Sequence, residues 1–156
     1  VRVEGSFTVA ASSDRVWQVL LDPASLQRCI PGCERIEAAA EGAYRITLTV
    51  GVASVKGSYS GEVAVLDPKP PESLVLKVQG QGRPGFVRGQ ATITLMPTDG
   101  GTTVSCQGEG TVGGAIAGVG QRMLGAAAKL LMGQFFERLA EVAAETRAGG
   151  EGPAGK

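Results

Sequence analysis

Six short stretches between residues 34 and 111 alternate apolar with polar side chains, and after them comes one helix-forming run of about 30 residues, ~45 Å long. That order leaves few folds open. In a stretch such as Tyr44-Arg45-Ile46-Thr47-Leu48-Thr49-Val50, alternation puts one face in a core and the other in water. Turn clusters separate the stretches, among them Glu41-Gly42, Arg83-Pro84-Gly85 and Asp99-Gly100-Gly101. Connections this short favour an antiparallel meander over a parallel sheet. Its apolar face has to be covered, and the final helix, expected over residues 117–146, is the only element long enough to do so.

The first 33 residues add smaller elements. Residues 5–11 read as a strand, with Phe7 and Val9 on one face. Ser12-Ser13-Asp14 is an N-cap cluster for a helix over 14–21, whose apolar stripe is Val16, Trp17, Leu20 and Leu21. Asp22-Pro23 ends it, and a second short helix over 24–30 carries Leu26 and Ile30 up to the break at Pro31-Gly32. The class is α+β: one strand, two short helices, six strands, one long helix.

Composition narrows the chemistry. With 156 residues the chain suits a single domain, read here as residues 1–147 with a glycine-rich tail over 148–156. Lys plus Arg and Asp plus Glu each number 15, so the formal net charge is zero, and no nucleic-acid partner is expected. Histidine is absent, which removes histidine triads, histidine bases and histidine-ligated metals. Cys29, Cys33 and Cys106 are too few for a disulfide framework and read as reduced cytosolic thiols. Cys29 and Cys33 could form a two-ligand clip, but stable metal sites want three or four ligands, so packing and turn roles are expected and no metal. The nearest approach to a membrane span, residues 104–121, has six glycines and no sustained hydrophobicity. The start carries no signal-peptide core and no initiator Met, which reads as a trimmed chain.

Residue sizes along the long helix are uneven. Leu124, Ala128, Leu131, Phe135, Leu139 and Val142 share its core side. Its first half uses Gly118, Gly120, Gly125, Ala126, Ala127 and Ala128, whereas Phe135 and Phe136 stand in the second. Small residues facing a sheet with few aromatics leave either an apolar cavity or a closer approach of the sheet, and the pattern alone supports both readings. Val119, Met123 and Leu130 fall on the opposite side, which suggests a covered or docking surface. The stretch 80–86 reads either as a mobile glycine loop at a cavity mouth, plugged by Phe86, or as a wide hairpin.

Val16-Trp17 on the first helix, Asp22-Pro23 and Cys29-Ile30-Pro31-Gly32-Cys33 carry a resemblance, supported by Val3-Glu4-Gly5-Ser6-Phe7, Gly108-Glu109-Gly110 and Gln134-Phe135-Phe136. Over residues 2–146 the chain resembles the carbon monoxide dehydrogenase CoxG family, part of the SRPBCC/START-type helix-grip superfamily. The resemblance implies a curved seven-stranded antiparallel sheet wrapped around the C-terminal helix, with a hydrophobic cavity between them. It further implies a non-catalytic carrier of a lipophilic molecule, such as a quinone (menaquinone, for example). Its partner would be a molybdenum-containing CO dehydrogenase-type hydroxylase, which it helps link to the membrane. The setting would be cytoplasmic, with peripheral contact at the inner face of the membrane. In longer members a C-terminal tail contributes to that contact, and only a short stub follows the helix here.

The residues expected at the cavity or its mouth are Met123, Leu124, Ala127, Ala128, Leu131 and Phe135 of the long helix, Trp17, Leu26, Ile30 and Pro31 of the early helices and their loop, and Tyr44, Tyr59 and Phe86 of the sheet. No covalent cofactor and no catalytic residue is expected. One alternative is an enzyme (a cyclase, hydratase or hydrolase) on the same scaffold, with Tyr44, Tyr59, Glu62 or Glu109 as acid–base groups and Arg83 or Arg88 polarising an oxygen. Another is a pure assembly factor docking through the apolar side of the long helix.

Overall fold

Strand β1 (Arg2–Val9) leads into two short helices, α1 (Ser13–Leu20) and α2 (Pro23–Cys29). Six strands follow: β2 (Cys33–Ala40), β3 (Ala43–Val50), β4 (Gly57–Lys69), β5 (Ser73–Gly82), β6 (Gly85–Thr98) and β7 (Gly101–Gly113). Helix α3 (Gln121–Gly149) closes the chain. This computed structural model describes residues 1–40 and 42–149; most of the expected tail, 150–156, lies outside the described residues.

The short helices start where side-chain oxygens can satisfy their free N–H groups. The Ser12 hydroxyl accepts from the Arg15 N–H at 3.1 Å, and the Asp22 carboxylate accepts from the Ser25 N–H at 3.2 Å, with Pro23 in the first turn.

All seven strands form one antiparallel sheet in the order β1-β7-β6-β5-β4-β3-β2. The first strand therefore pairs with the last, Phe7 opposite Val104 and Val9 opposite Thr102. The sheet curls around α3, as the helix-grip expectation required. Alternation fixes which residues face that helix: Phe7, Val104, Leu95 and Ile93 on one flank, Ile46 and Val50 on the other.

The core is concentrated toward one end. There Leu139 and Ala143 of α3 are fully buried, as are Val9, Val16, Val104 and Cys29, and Phe136 stacks on Phe7 with ring centroids 4.5 Å apart. Thr102 is the one polar side chain buried with them among the described residues, and its hydroxyl donates to the Ala11 carbonyl at 2.8 Å.

Two expectations need correction. The long helix begins at Gln121, not at residue 117, because Ala115–Val119 form a separate 3-10 turn. Gly120, at φ 92°, breaks the helical path between them, a conformation that residues with a Cβ rarely adopt. The stretch 80–86 is no wide loop either. Gly82 pairs directly with Gly85 across a two-residue turn, Arg83-Pro84. Pro84 packs onto Gly57, and its carbonyl accepts from the Ile116 N–H at 2.7 Å, so this tip is fastened down.

Candidate ligand cavity

The sheet and helix separate at the end where α3 starts. Between them lies a cavity of about 430 Å³, walled by Leu124, Ala127, Ala128 and Leu131 of α3. The opposing wall comprises Leu48 and Val50 of β3, Tyr59 of β4, Val78 and Gly80 of β5, and Val87 and Ala91 of β6, with Val3, Gly110 and Val112. A second chamber of about 280 Å³ continues toward the short helices, lined by Leu26, Ile30, Tyr44, Ile46, Phe135 and Phe136 among others. The two share Val3, Val78 and Ala91 as common walls.

Strand glycines make the room. Gly80, Gly89, Gly108 and Gly110 line the larger chamber, Gly89 opposite Gly110 and Gly108 between Val3 and Ala91, while Gly61, opposite Gly80, is covered by the Gln79 backbone. With no side chain on either partner of a pair, the sheet floor lacks the Val–Val or Leu–Ile contacts that fill it further along. The small residues of α3 then face a void rather than a closer sheet. This signal was present in the sequence. The glycines fall at the inward phase of otherwise alternating strands, and reading each strand's phase across its neighbours would have found them.

Polar groups on this lining are few. The Tyr59 hydroxyl donates to the Val55 carbonyl at 2.7 Å, and burial pushes its pKa up. The Tyr44 hydroxyl donates to the Leu21 carbonyl at 3.1 Å. Each phenol proton is thus committed to backbone. The other acid–base candidates lie elsewhere. Glu62 lines a depression on the outer face of the sheet together with Phe86 and Arg88. Glu109 reaches the cavity rim, but its carboxylate lies 3.6 Å from Arg2 and both side chains are largely exposed. Arg83 is exposed at the hairpin tip.

The residues expected at the cavity divide accordingly. Tyr59, Leu124, Ala127, Ala128 and Leu131 line the larger chamber, and Leu26, Ile30, Tyr44 and Phe135 the smaller. Pro31 lies instead in a surface cleft of about 410 Å³ with Gly32, Gly51, Val52, Leu130 and Gln134, and this cleft shares Val50 and Leu131 with the large chamber as a dividing wall. Three more residues are placed differently from expectation. Trp17 belongs to the packed core, because α1 lies against α3, β6 and β7 at the closed end. Phe86 has the outward phase of β6 and lies under the Arg88 guanidinium, 5.0 Å from ring centroid to Cζ. Met123, one position before the buried Leu124, projects outward and is 51% exposed.

Cys29 is fully buried, and burial pushes its thiol pKa up to about 11 despite Arg28 and Arg138 nearby, whose charges act in the opposite direction. Burial also raises Cys106. Cys33 is partly exposed, and its Sγ donates to the Arg35 carbonyl at 3.5 Å. A thiol reagent at pH 8 is therefore expected to modify Cys33 first, with Cys29 and Cys106 reacting only after denaturation. Rapid labelling of all three thiols in the native protein would contradict this placement.

A curved antiparallel sheet gripping a C-terminal helix, with an apolar cavity between them, defines a ligand-binding scaffold of the helix-grip class. The family model for the carbon monoxide dehydrogenase protein CoxG matches residues 5–144, and the chain belongs to that family. Among solved structures, a conserved protein from Geobacillus kaustophilus is 39% identical with a TM-score of 0.90, the alignment covering 94% of this chain and 97% of that one. The ZhuI aromatase/cyclase from Streptomyces sp. R1128 is 20% identical with a TM-score of 0.71, over 97% of this chain and 98% of that one, and shares the fold. Protein CV1439 from Chromobacterium violaceum, 20% identical, aligns over 91% and 96% with a TM-score of 0.69. No curated protein matches the chain.

Proposed function

We propose that this protein is a carrier that holds a lipophilic molecule, a quinone by preference, between α3 and the glycine floor of the sheet. It would link a molybdenum CO dehydrogenase-type enzyme to the membrane that supplies the quinone. The observation that carries this reading is the cavity itself: two adjoining chambers with apolar walls, whose two tyrosine protons already have backbone partners. Such walls gain roughly 25 cal/mol for each Å² of apolar ligand surface removed from water, and offer little to a charged substrate. The larger chamber suits a ring, and the narrower one suits the first part of a hydrocarbon tail. The enzyme partner follows from the family name and the quinone from the resemblance of the sequence motifs. Among the described residues no helix is long and apolar enough to cross a membrane, so the reading uses peripheral contact.

The enzyme alternative has one supporting observation, the shared fold of an aromatase/cyclase. It needs an acid or base inside the cavity, and Glu62 and Arg88 line the outer face instead.

The test is incubation of the purified protein with a bacterial lipid extract, followed by native mass spectrometry. The expected result is one bound isoprenoid quinone per chain. Recovery of ligand-free protein, under conditions that load a known quinone carrier, would overturn the proposal.

A further inference from the structure

The formal net charge is zero, yet the charges are not evenly spread. Three connections meet at the cavity end of the fold: residues 51–56 between β3 and β4, the turn Arg83-Pro84, and residues 114–120 before α3. Pro84 packs on Gly57 and bonds Ile116, which holds the three together. These connections and the first half of α3 carry Lys56, Arg83, Arg122 and Lys129, all exposed, and no Asp or Glu; the acid nearest the cleft is exposed Glu34, whose carboxylate accepts from the hydroxyl of Thr49 in the cleft wall. The opposite end carries Asp14, Asp22, Asp67, Glu72 and Asp99 against Arg15 and Lys69. Helix α3 repeats the division more weakly along its own length, with Arg122 and Lys129 in its first half and Glu137, Glu141 and Glu145 against Arg138 and Arg147 in its second.

The cationic end is also apolar. At 100° per residue, Arg122, Met123, Ala126, Lys129 and Leu130 occupy one arc of about 120° on α3, and all five are exposed, Met123 by 51% and Leu130 by 50%. Leu130 also borders the cleft that Val50 and Leu131 divide from the large chamber. Cations flanking exposed apolar side chains, beside a cleft that adjoins an apolar cavity, match a bilayer with an anionic surface. The basic groups meet the headgroups while Met123 and Leu130 enter the acyl boundary. An acidic protein surface would satisfy the cations but give the two large apolar side chains no comparable solvent.

We propose that this end of the folded domain, independently of the residues after the helix, is a docking surface for an anionic lipid bilayer, presenting the cleft at Pro31 and Leu130 to the membrane. The inference rests on the carrier reading for its purpose, though not for its geometry. Lys56, Arg83, Arg122 and Lys129 supply the electrostatic attraction, and Met123 and Leu130 the insertion.

Co-sedimentation of the full chain with vesicles tests it, comparing phosphatidylcholine containing roughly 30% phosphatidylglycerol with phosphatidylcholine alone. Wild-type protein is expected to partition at least about tenfold more strongly onto the anionic vesicles, and to lose that preference as NaCl rises from roughly 0.05 to 0.5 M. Each cation removed should weaken partition by about fivefold, so Lys56→Glu with Arg122→Glu should lower it well over tenfold. Met123→Asp with Leu130→Asp should lower partition onto the anionic vesicles as well. Uptake of Nile red in vesicle-free buffer separates this inference from the carrier reading: both double variants should take it up like wild type, and wild-type melting temperatures show them folded. Wild-type protein that ignores both vesicle types would overturn the proposal and leave the surface to a protein partner. Unchanged partition of the folded variants would overturn it too, placing membrane contact elsewhere.

Discussion

Replacing Gly61 by alanine should destabilise the domain by about 3 kcal/mol, lowering the melting temperature by about 10 °C. The reason is geometric. Between β4 and β5 the backbone of Gln79 lies close against Gly61, and a Cβ there would run into its carbonyl oxygen. The same close approach holds at Gly89, where a Cβ would lie 2.5 Å from the Glu109 carbonyl oxygen. Backbone cannot yield as a flexible side chain can, so the sheet must flatten or the ladder must slip. Gly80, the cross-strand partner of Gly61, is the control. A Cβ there meets nothing closer than the Ser60 carbonyl oxygen at 3.9 Å, so Gly80→Ala should stay within about 1 kcal/mol of wild type. Calorimetry on the two single variants decides the matter. Equal melting temperatures would show that the close approach of Gln79 does not depend on the missing side chain at Gly61.

The second large effect concerns function. Ala128→Phe should abolish loading of a lipophilic ligand, by about tenfold or more in affinity, while changing stability little. Ala128 lines the larger chamber, and a phenyl ring there fills volume the ligand would need. Because the ring enters existing space, the strain that usually follows enlargement in a packed core should be small, within about 1 kcal/mol. The neighbouring Ala127 is buried and the Ala128 side less so, which makes position 128 the gentler place for the change. Nile red titration together with melting temperature reads both quantities. A variant that melts like wild type and still loads fully would place the ligand outside this cavity.

Much of the architecture was legible because it is set by period. Strict alternation over residues 44–50 and 58–65 identifies strands β3 and β4, and the N-cap cluster at Ser12 marks the start of α1, whereas Asp22-Pro23, read as a stop, turns out to be the N-cap and first residue of α2. Side-chain placement at the site was legible only where one element decided it. Leu124, Ala127 and Leu131 follow from the helical period alone. Phe86 does not, since its outward direction depends on the register of β6 against Gly113 of β7, a partner distant in the chain. Trp17, expected at the cavity, lies in the packed core instead, because which end of a cavity a short helix closes is decided by tertiary packing. The glycine floor needed the pairing of four strands before Gly61 and Gly80, or Gly89 and Gly110, could be seen as neighbours. Turn chemistry misled at residues 80–86, where glycines that suggest a swinging loop in fact flank a two-residue hairpin turn.

The pairing of β1 with β7 has a consequence for how the molecule comes into being. Arg2 aligns with Glu109, and the Ser6 hydroxyl faces that of Ser105 at 3.1 Å, so the sheet is completed by partners from opposite ends of the chain. A growing chain has β1 early and must wait for β7, and then for α3, before either chamber has walls. Contacts of such long sequence separation slow folding, because the entropy of closing the intervening loop is lost before the pairing returns anything. On a ribosome, the strands between would stand as hairpins with one apolar face open until the helix is released to cover them. Neither chamber can enclose a molecule of the kind proposed until α3 has emerged, and a nascent chain stalled before residue 121 would expose its apolar sheet face and be a target for chaperones.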